Sequence, residues 1–198
     1  MTLGPYSANR GCLRCPSRQF NFKSLVRAGP LQEPLKSLIH QFKFAEHWSL
    51  APLLADQLYQ AARIHAACAI DILVPVALHW RRYWSRGYNQ AYELAERVGH
   101  YGKFPVADVL VRVRATVQQT VVQSATARFD NLRGAFVCRP SRRLAGKHIW
   151  LVDDVCTSGA TLYAAAAALR RLPTDYRPAA ISAMVLAVTD DTPIPEEE

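Results

Sequence analysis

Two adjacent carboxylates, Asp153 and Asp154, close the apolar run HIWLV (148–152) and lead through Val155, Cys156, Thr157, Ser158, Gly159 and Ala160 to Thr161, where an apolar helical pattern begins. A strand ending in acids, then a loop of small hydroxyl residues, then a helix can hold a phosphate beside a group rich in hydroxyls. The helix start aims free N–H groups at the loop, and its dipole favours an anion there by about 0.3 to 2 kcal/mol. Gly159 lets the backbone approach closely, and Thr157, Ser158 and Thr161 can each donate a hydroxyl hydrogen bond. Acids beside such a nest repel a bare phosphate, so they need a partner of their own: vicinal ribose hydroxyls, or a divalent cation held between them. The ligand that satisfies both halves is a ribose 5-phosphate. The plainer alternative is a strand that ends in solvated aspartates before an ordinary capped helix. Neither GxxxxGK[ST] nor GxGxxG occurs, which disfavours a P-loop nucleotidase and a Rossmann dehydrogenase.

A second concentration of chemistry lies at HWRRYWSRGYNQA (79–91), with three arginines, two tryptophans and two tyrosines directly after the apolar run IDILVPVAL. Rings on which bases stack, with guanidinium groups following phosphates, make a single-strand nucleic-acid surface. The same residues in a loop could grip a small polyphosphate. If instead the rings are packing anchors, the arginines form a solvated rim.

The elements that must position these residues read as alternating helices and strands. PLKSLIHQFKF (34–44) and SLAPLLADQLYQAARIH (49–65) carry apolar residues at three- and four-residue steps and predict helices. IDILVPVAL (70–78) has no polar alternation after Asp71, as expected of a strand covered on both faces. NQAYELAERVGHYG (89–102) predicts a helix capped by Asn89 and closed by glycines. VADVLVRV (106–113), HIWLVDD (148–154) and AISAMVLAVT (180–189) read as strands, and TLYAAAAALRRL (161–172) as a helix. The stretch between 116 and 136 reads as a long polar connection with a helical turn. This alternation predicts an α/β fold with parallel pairing, and ligands then bind at the carboxyl edge of the sheet, where Asp153 and Asp154 sit.

The 198 residues suffice for one substantial domain, expected over 21–190, after a lead-in at 1–20 and before an acidic tail at 191–198. Lysine and arginine number 24 against 16 acids, a formal charge of +8 that favours an anionic partner. No signal-type or membrane-crossing run is visible, so no membrane insertion is expected and the cytoplasm is the expected compartment. Five cysteines cannot all pair, which fits a reducing environment. Cys12 and Cys15 form a CxxC, half of a zinc site; without a second CxxC or a close HxxxH, a turn with two reduced thiols is favoured and no protein-held metal is predicted.

LVDDVCTSGATL resembles the 5-phosphoribosyl-1-pyrophosphate (PRPP) motif of the type I phosphoribosyltransferases. Within that superfamily the chain resembles the ComF/GntX group of competence-associated proteins, through FKFAEHWSLAPLLA (42–55), VPVALHWRRYWSRGYNQAYELA (74–95), the QQ and NLRGAF elements (118–136) and AGKHIWLVDDVCTSGATL (145–162). RGYNQA singles out this group. The resemblance implies the type I phosphoribosyltransferase fold, a mainly parallel sheet flanked by helices with a small hood over the strand ends. It implies that Asp153 and Asp154 hold the ribose hydroxyls and that the loop from Val155 to Thr161 cradles the 5-phosphate. Backbone near Ala77, Leu78 and His79, helped by Arg81, Arg82 or Arg86, would face the pyrophosphate, with Mg²⁺ accompanying PRPP. Group members often begin with a four-cysteine zinc ribbon; here only CLRC stands at its downstream end, so zinc is doubtful.

The function implied is a PRPP-binding protein of DNA uptake in natural competence, handling single-stranded DNA and acting with proteins of the uptake machinery. The alternative is a metabolic transferase that moves ribose 5-phosphate from PRPP to a base or amine. A third reading keeps the fold as a module that senses PRPP without consuming it.

Overall fold

The computed structural model describes residues 6–7, 21–66, 69–114 and 125–189; at 6, 7, 45, 46, 81, 82, 85 and 125–128 it describes the backbone alone. Cys12, Cys15, Cys68, the QQ element and the acidic tail lie outside the described residues.

A five-stranded sheet forms the centre, in the order β1-β2-β7-β6-β3. Its members are β1 (Tyr6–Ser7), β2 (Ser24–Pro30), β3 (Ile72–Pro75), β6 (His148–Cys156) and β7 (Ala180–Val188). β2, β7, β6 and β3 run parallel, and β1 is an antiparallel edge on β2. Parallel strands need crossovers, and helices supply them on both faces. On one face lie α1 (Leu35–Phe42), α2 (Ala51–His65) and α4 (Gln90–Gly102); on the other, α5 (Ala125–Leu132) and α6 (Ala160–Arg170). β6 shows how the sequence dictates this: Ile149 and Leu151 enter the core under α6, while Trp150 and Val152 enter the core under α2 and α4. All four are fully buried, so a run with no polar alternation is what two covered faces require.

Three expectations about the elements are corrected. The predicted strand 106–113 divides: Val106 makes a single parallel bridge to Leu73, and the chain then leaves the sheet as β4 (Leu110–Arg112), paired antiparallel with β5 (Phe136–Cys138). The stretch after His79 is not a loop throughout but a short helix, α3 (Trp80–Arg86). The glycines near the end of α4 do not close it. Lys103 takes the left-handed cap position at φ 55, while a Cβ at Gly99 would stand 2.8 Å from the Phe104 carbonyl oxygen and one at Gly102 would stand 2.1 Å from the Phe104 ring. Those glycines make room for the chain folding back. The Asn89 cap forms as predicted, its side chain accepting from the Ala91 N–H at 3.2 Å.

Candidate functional site

Asp153 and Asp154 stand at the carboxyl end of β6, half-buried, in a cleft of ≈ 620 Å³. The Asp154 N–H donates to Asp153 Oδ1 at 2.9 Å, and the Val155 N–H donates to Asp154 Oδ1 at 2.7 Å. Strand alternation turns Asp154 toward the α1 side of the sheet, where Lys43 reaches it with Nζ at 3.4 Å from Oδ2. Asp153 has the neighbouring carboxylate as its near charge. Burial, and then Asp154, hold its carboxyl well above the ordinary carboxylate range, while Lys43 offsets this in part. The acid pair therefore carries an electrostatic cost that a bound cation or hydrogen-bond donor would relieve.

Behind the acids, the loop bends through Gly159 at φ 74 into α6, whose first residue is Ala160. The Ala160 N–H donates weakly to Ser158 Oγ at 3.5 Å. Thr157 and Thr161 line the cleft, whereas Cys156 and Ala160 point into the core. Cys156 is thus a space-filling residue, as its small size predicts.

The opposite wall begins where β3 ends. The Val76 N–H donates to the Val152 carbonyl at 2.9 Å, so the loop 76–79 leaves the sheet directly beside the acid pair. Ala77 and Leu78 line the cleft, and His79 is buried with its ring 5.5 Å from that of Trp80. The RGYNQ segment then ties this wall to α1. Asn89 Nδ2 donates to the Val76 carbonyl at 3.2 Å, Gln90 Nε2 to the Lys43 carbonyl at 3.4 Å, and the Tyr88 hydroxyl to the Phe42 carbonyl. Arg86 lines the cleft and donates to Gln90 Oε1 at 3.3 Å. The segment that marks the group in sequence is the clasp that holds Lys43 over Asp154 and fixes the loop at Val76.

The structure thus brings Ala77, Leu78, Arg86, Asp153, Asp154, Val155, Thr157 and Thr161 to one cleft. His79, Cys156, Gly159 and Ala160 are buried behind it, and Ser158 sits at the turn. The side chains of Arg81 and Arg82 lie outside those described. Sequence reasoning missed a wall of donors: Lys36, Ser37, His40 and Gln41 on α1, with Lys43 at its end, and the buried Arg112 of β4, whose guanidinium lies 5.4 Å from the Phe136 ring centroid. The FKF element held the signal for Lys43. No spacing rule links it to Asp154, because the contact is made by folding.

Residues 84–193 match the family described as Phosphoribosyl transferase domain. The chain is 34% identical over 167 residues to Competence protein F of Haemophilus influenzae, covering 81% of this chain and 72% of that protein. It is 36% identical over 156 residues to DNA utilization protein YhgH of Salmonella typhi and 33% identical over 156 residues to that of Escherichia coli K12, covering 76% of this chain and 67% of each relative. The chain belongs to the phosphoribosyl transferase domain family. Among solved structures, an adenine phosphoribosyltransferase from Leishmania donovani aligns over 87% of this chain and 86% of its own at 13% identity and TM-score 0.40, too weak a likeness to argue from. The family's matched region runs from α3 through the acid pair and α6 to β7, so it contains one half of the cleft; the α1 wall precedes it. Among the described residues, no helix of this phosphoribosyl transferase domain is long and apolar enough to cross a membrane.

Proposed function

We propose that the chain binds PRPP together with Mg²⁺ and acts in the uptake or use of incoming DNA, handling single strands in the cytoplasm. The observation that carries the reading is the acid pair at the carboxyl end of β6, facing a cleft whose far wall is cationic. Asp153 and Asp154 accept hydrogen bonds from the ribose hydroxyls, which removes the penalty of two neighbouring carboxylates. The amides at the start of α6, with Thr157, Ser158 and Thr161, hold the 5-phosphate. The loop at Ala77 and Leu78, with Arg86, faces the pyrophosphate. Among the described residues no cluster of three or more His, Cys, Asp or Glu forms a cage. Mg²⁺ fits such a site, since it binds through one or two carboxylates, waters and substrate phosphates rather than a protein cage. When bound it neutralises charge on the pyrophosphate.

The names of the relatives support the DNA half, and α3 supports it physically. Trp80, Tyr83 and Trp84 are exposed, Trp84 by 81%, on a helix between the cleft residues Leu78 and Arg86. Large rings left in water suit stacking with bases, worth about 1 to 3 kcal/mol per base. The test is equilibrium binding of a single-stranded oligonucleotide over a salt series. The expected result is an affinity that falls linearly in log–log form with salt and weakens in Trp84→Ala. Salt-independent or absent binding contradicts the DNA half.

A second reading, transfer of ribose 5-phosphate to an acceptor, is favoured by the donor wall of α1, since Lys36, Ser37, His40 and Gln41 overhang the acids as a hood should. Pyrophosphate release on adding an acceptor tests it.

A further inference from the structure

A second cavity lies apart from the cleft. It is a groove of ≈ 810 Å³ between α5, β5 and the outer face of α6, and it shares no lining residue with the acid-pair cleft. α6 explains its shape. Leu162, Ala165, Ala166, Ala168 and Leu169 are packed into the core, while Tyr163, Ala167 and Arg170, with the partly buried Ala164 and with Arg171 just past the helix, line the groove. Alanines at 164 and 167 leave a floor one side chain deep, flanked by a ring at one end and two guanidinium groups at the other.

Facing α6 stand Phe129 and Arg133. The Phe129 and Tyr163 rings meet edge to face with centroids 5.3 Å apart, and both line the groove. The turn bearing Arg133 is held in place: Arg114 Nη2 donates to the carbonyls of Asn131 at 2.7 Å and Arg133 at 2.9 Å. Gly134 follows at φ 68, a backbone conformation that favours glycine, and a Cβ there would meet nothing within 4 Å. Arg170 Nε donates to the Asn21 carbonyl at 2.7 Å, which fixes the far rim. Against three arginines the groove offers one carboxylate, Asp130, paired with Arg133 at 3.7 Å with both side chains largely exposed, too wet a pair to neutralise the site.

We propose that this groove is a binding site for a nucleoside phosphate, distinct from the PRPP cleft. The base lies against the Phe129–Tyr163 pair and the phosphate meets Arg133 and Arg171. Guanidinium forks suit phosphate oxygens, and the volume suits a ligand of nucleotide size rather than a bare phosphate. Because Tyr163 and the 5-phosphate loop share α6, an occupant of the groove touches the same helix that begins at the acid-pair cleft.

The test is calorimetric titration of nucleoside mono- and diphosphates into the full chain carrying Asp153→Asn and Asp154→Asn, so that the PRPP cleft does not contribute. Ribose 5-phosphate, inorganic phosphate and a single-stranded oligonucleotide are the comparison probes. Nucleoside phosphates are expected to bind more tightly than ribose 5-phosphate, Arg133→Glu with Arg171→Glu to weaken them by about tenfold or more, and Tyr163→Leu to close the gap between probes with and without a base. The same arginine changes in the otherwise native chain leave PRPP binding intact, which keeps this test separate from that of the cleft. The proposal is overturned if inorganic phosphate binds as well as a nucleotide, if only the oligonucleotide binds, if nothing binds, or if affinity survives the arginine reversals.

Discussion

The two ends of β6 put polar groups under opposite regimes. At the amino end the polar side chains bond to one another and to the backbone. His148 Nε2 lies 2.9 Å from Ser182 Oγ, the Ser24 hydroxyl donates to Ser182 Oγ at 2.8 Å, and Asp71 accepts from the His148 N–H at 2.8 Å. Trp150 Nε1 donates to the Ala69 carbonyl at 3.3 Å. At the carboxyl end two adjacent carboxylates line one cleft, with Lys43 on Asp154. Buried polar groups that are satisfied internally stabilise the fold, whereas a carboxylate pair held together at a cost is poised for a ligand. One strand therefore carries a structural network and a binding device about as far apart as its length allows.

Substitutions at the two ends should separate stability from binding. The largest effect on stability is expected at the amino end: Ser182→Ala removes the acceptor of the buried Ser24 hydroxyl and a hydrogen-bond partner of His148, costing about 1 to 3 kcal/mol in denaturant unfolding, with PRPP affinity unchanged. Asn89→Ala tests the join between regions, since Asn89 both caps α4 and holds the Val76 carbonyl. It should cost about 0.5 to 2 kcal/mol and weaken PRPP several-fold, and unchanged affinity would mean that the loop at 76–79 needs no anchoring. Lys43→Met should alter stability by no more than about 1 kcal/mol, because the ion pair is partly exposed, yet raise the carboxyl titration of Asp153 further.

The most discriminating signal is pH dependence. Asp153 is held above its ordinary value of 3.8 by burial and then Asp154, so between that value and the raised one the folded chain binds more protons than the unfolded. Stability from this group rises as pH falls through the window. His148 is held below 6.5 by burial and then Lys23, so here the unfolded chain binds more protons and stability falls as pH drops below 6.5. Thermal unfolding across pH 5 to 8 should show Asp153→Asn removing an acid-side gain and His148→Gln removing an acid-side loss. A shared sign for the two variants would break the contrast.

The carboxyl end was legible in sequence and the amino end was not. HIWLVDDVCTSGATL lays strand, acids, loop and helix in consecutive order, so local reading places Asp153, Asp154, Thr157 and Thr161 together. The network of Ser24, His148 and Ser182 joins residues from three strands, and β2 is read from SLVRAGP only once β7 is known to lie beside it. The placement of Lys43 and Arg112 in the acids' cleft was invisible for the same reason. Helix α3 escaped although Trp80, Tyr83 and Trp84 recur at i, i+3 and i+4, because that stripe stays exposed and the arginine-rich run reads as a ligand-gripping loop.

The measurement closest to the central claim is titration of PRPP with Mg²⁺ into the native chain and into the chain with Asp153→Asn and Asp154→Asn. The predicted result is binding by the native protein that the paired substitution abolishes while the variant remains folded. No binding by the native chain, or equal binding by both, would contradict the assignment of the acid pair as the ribose site.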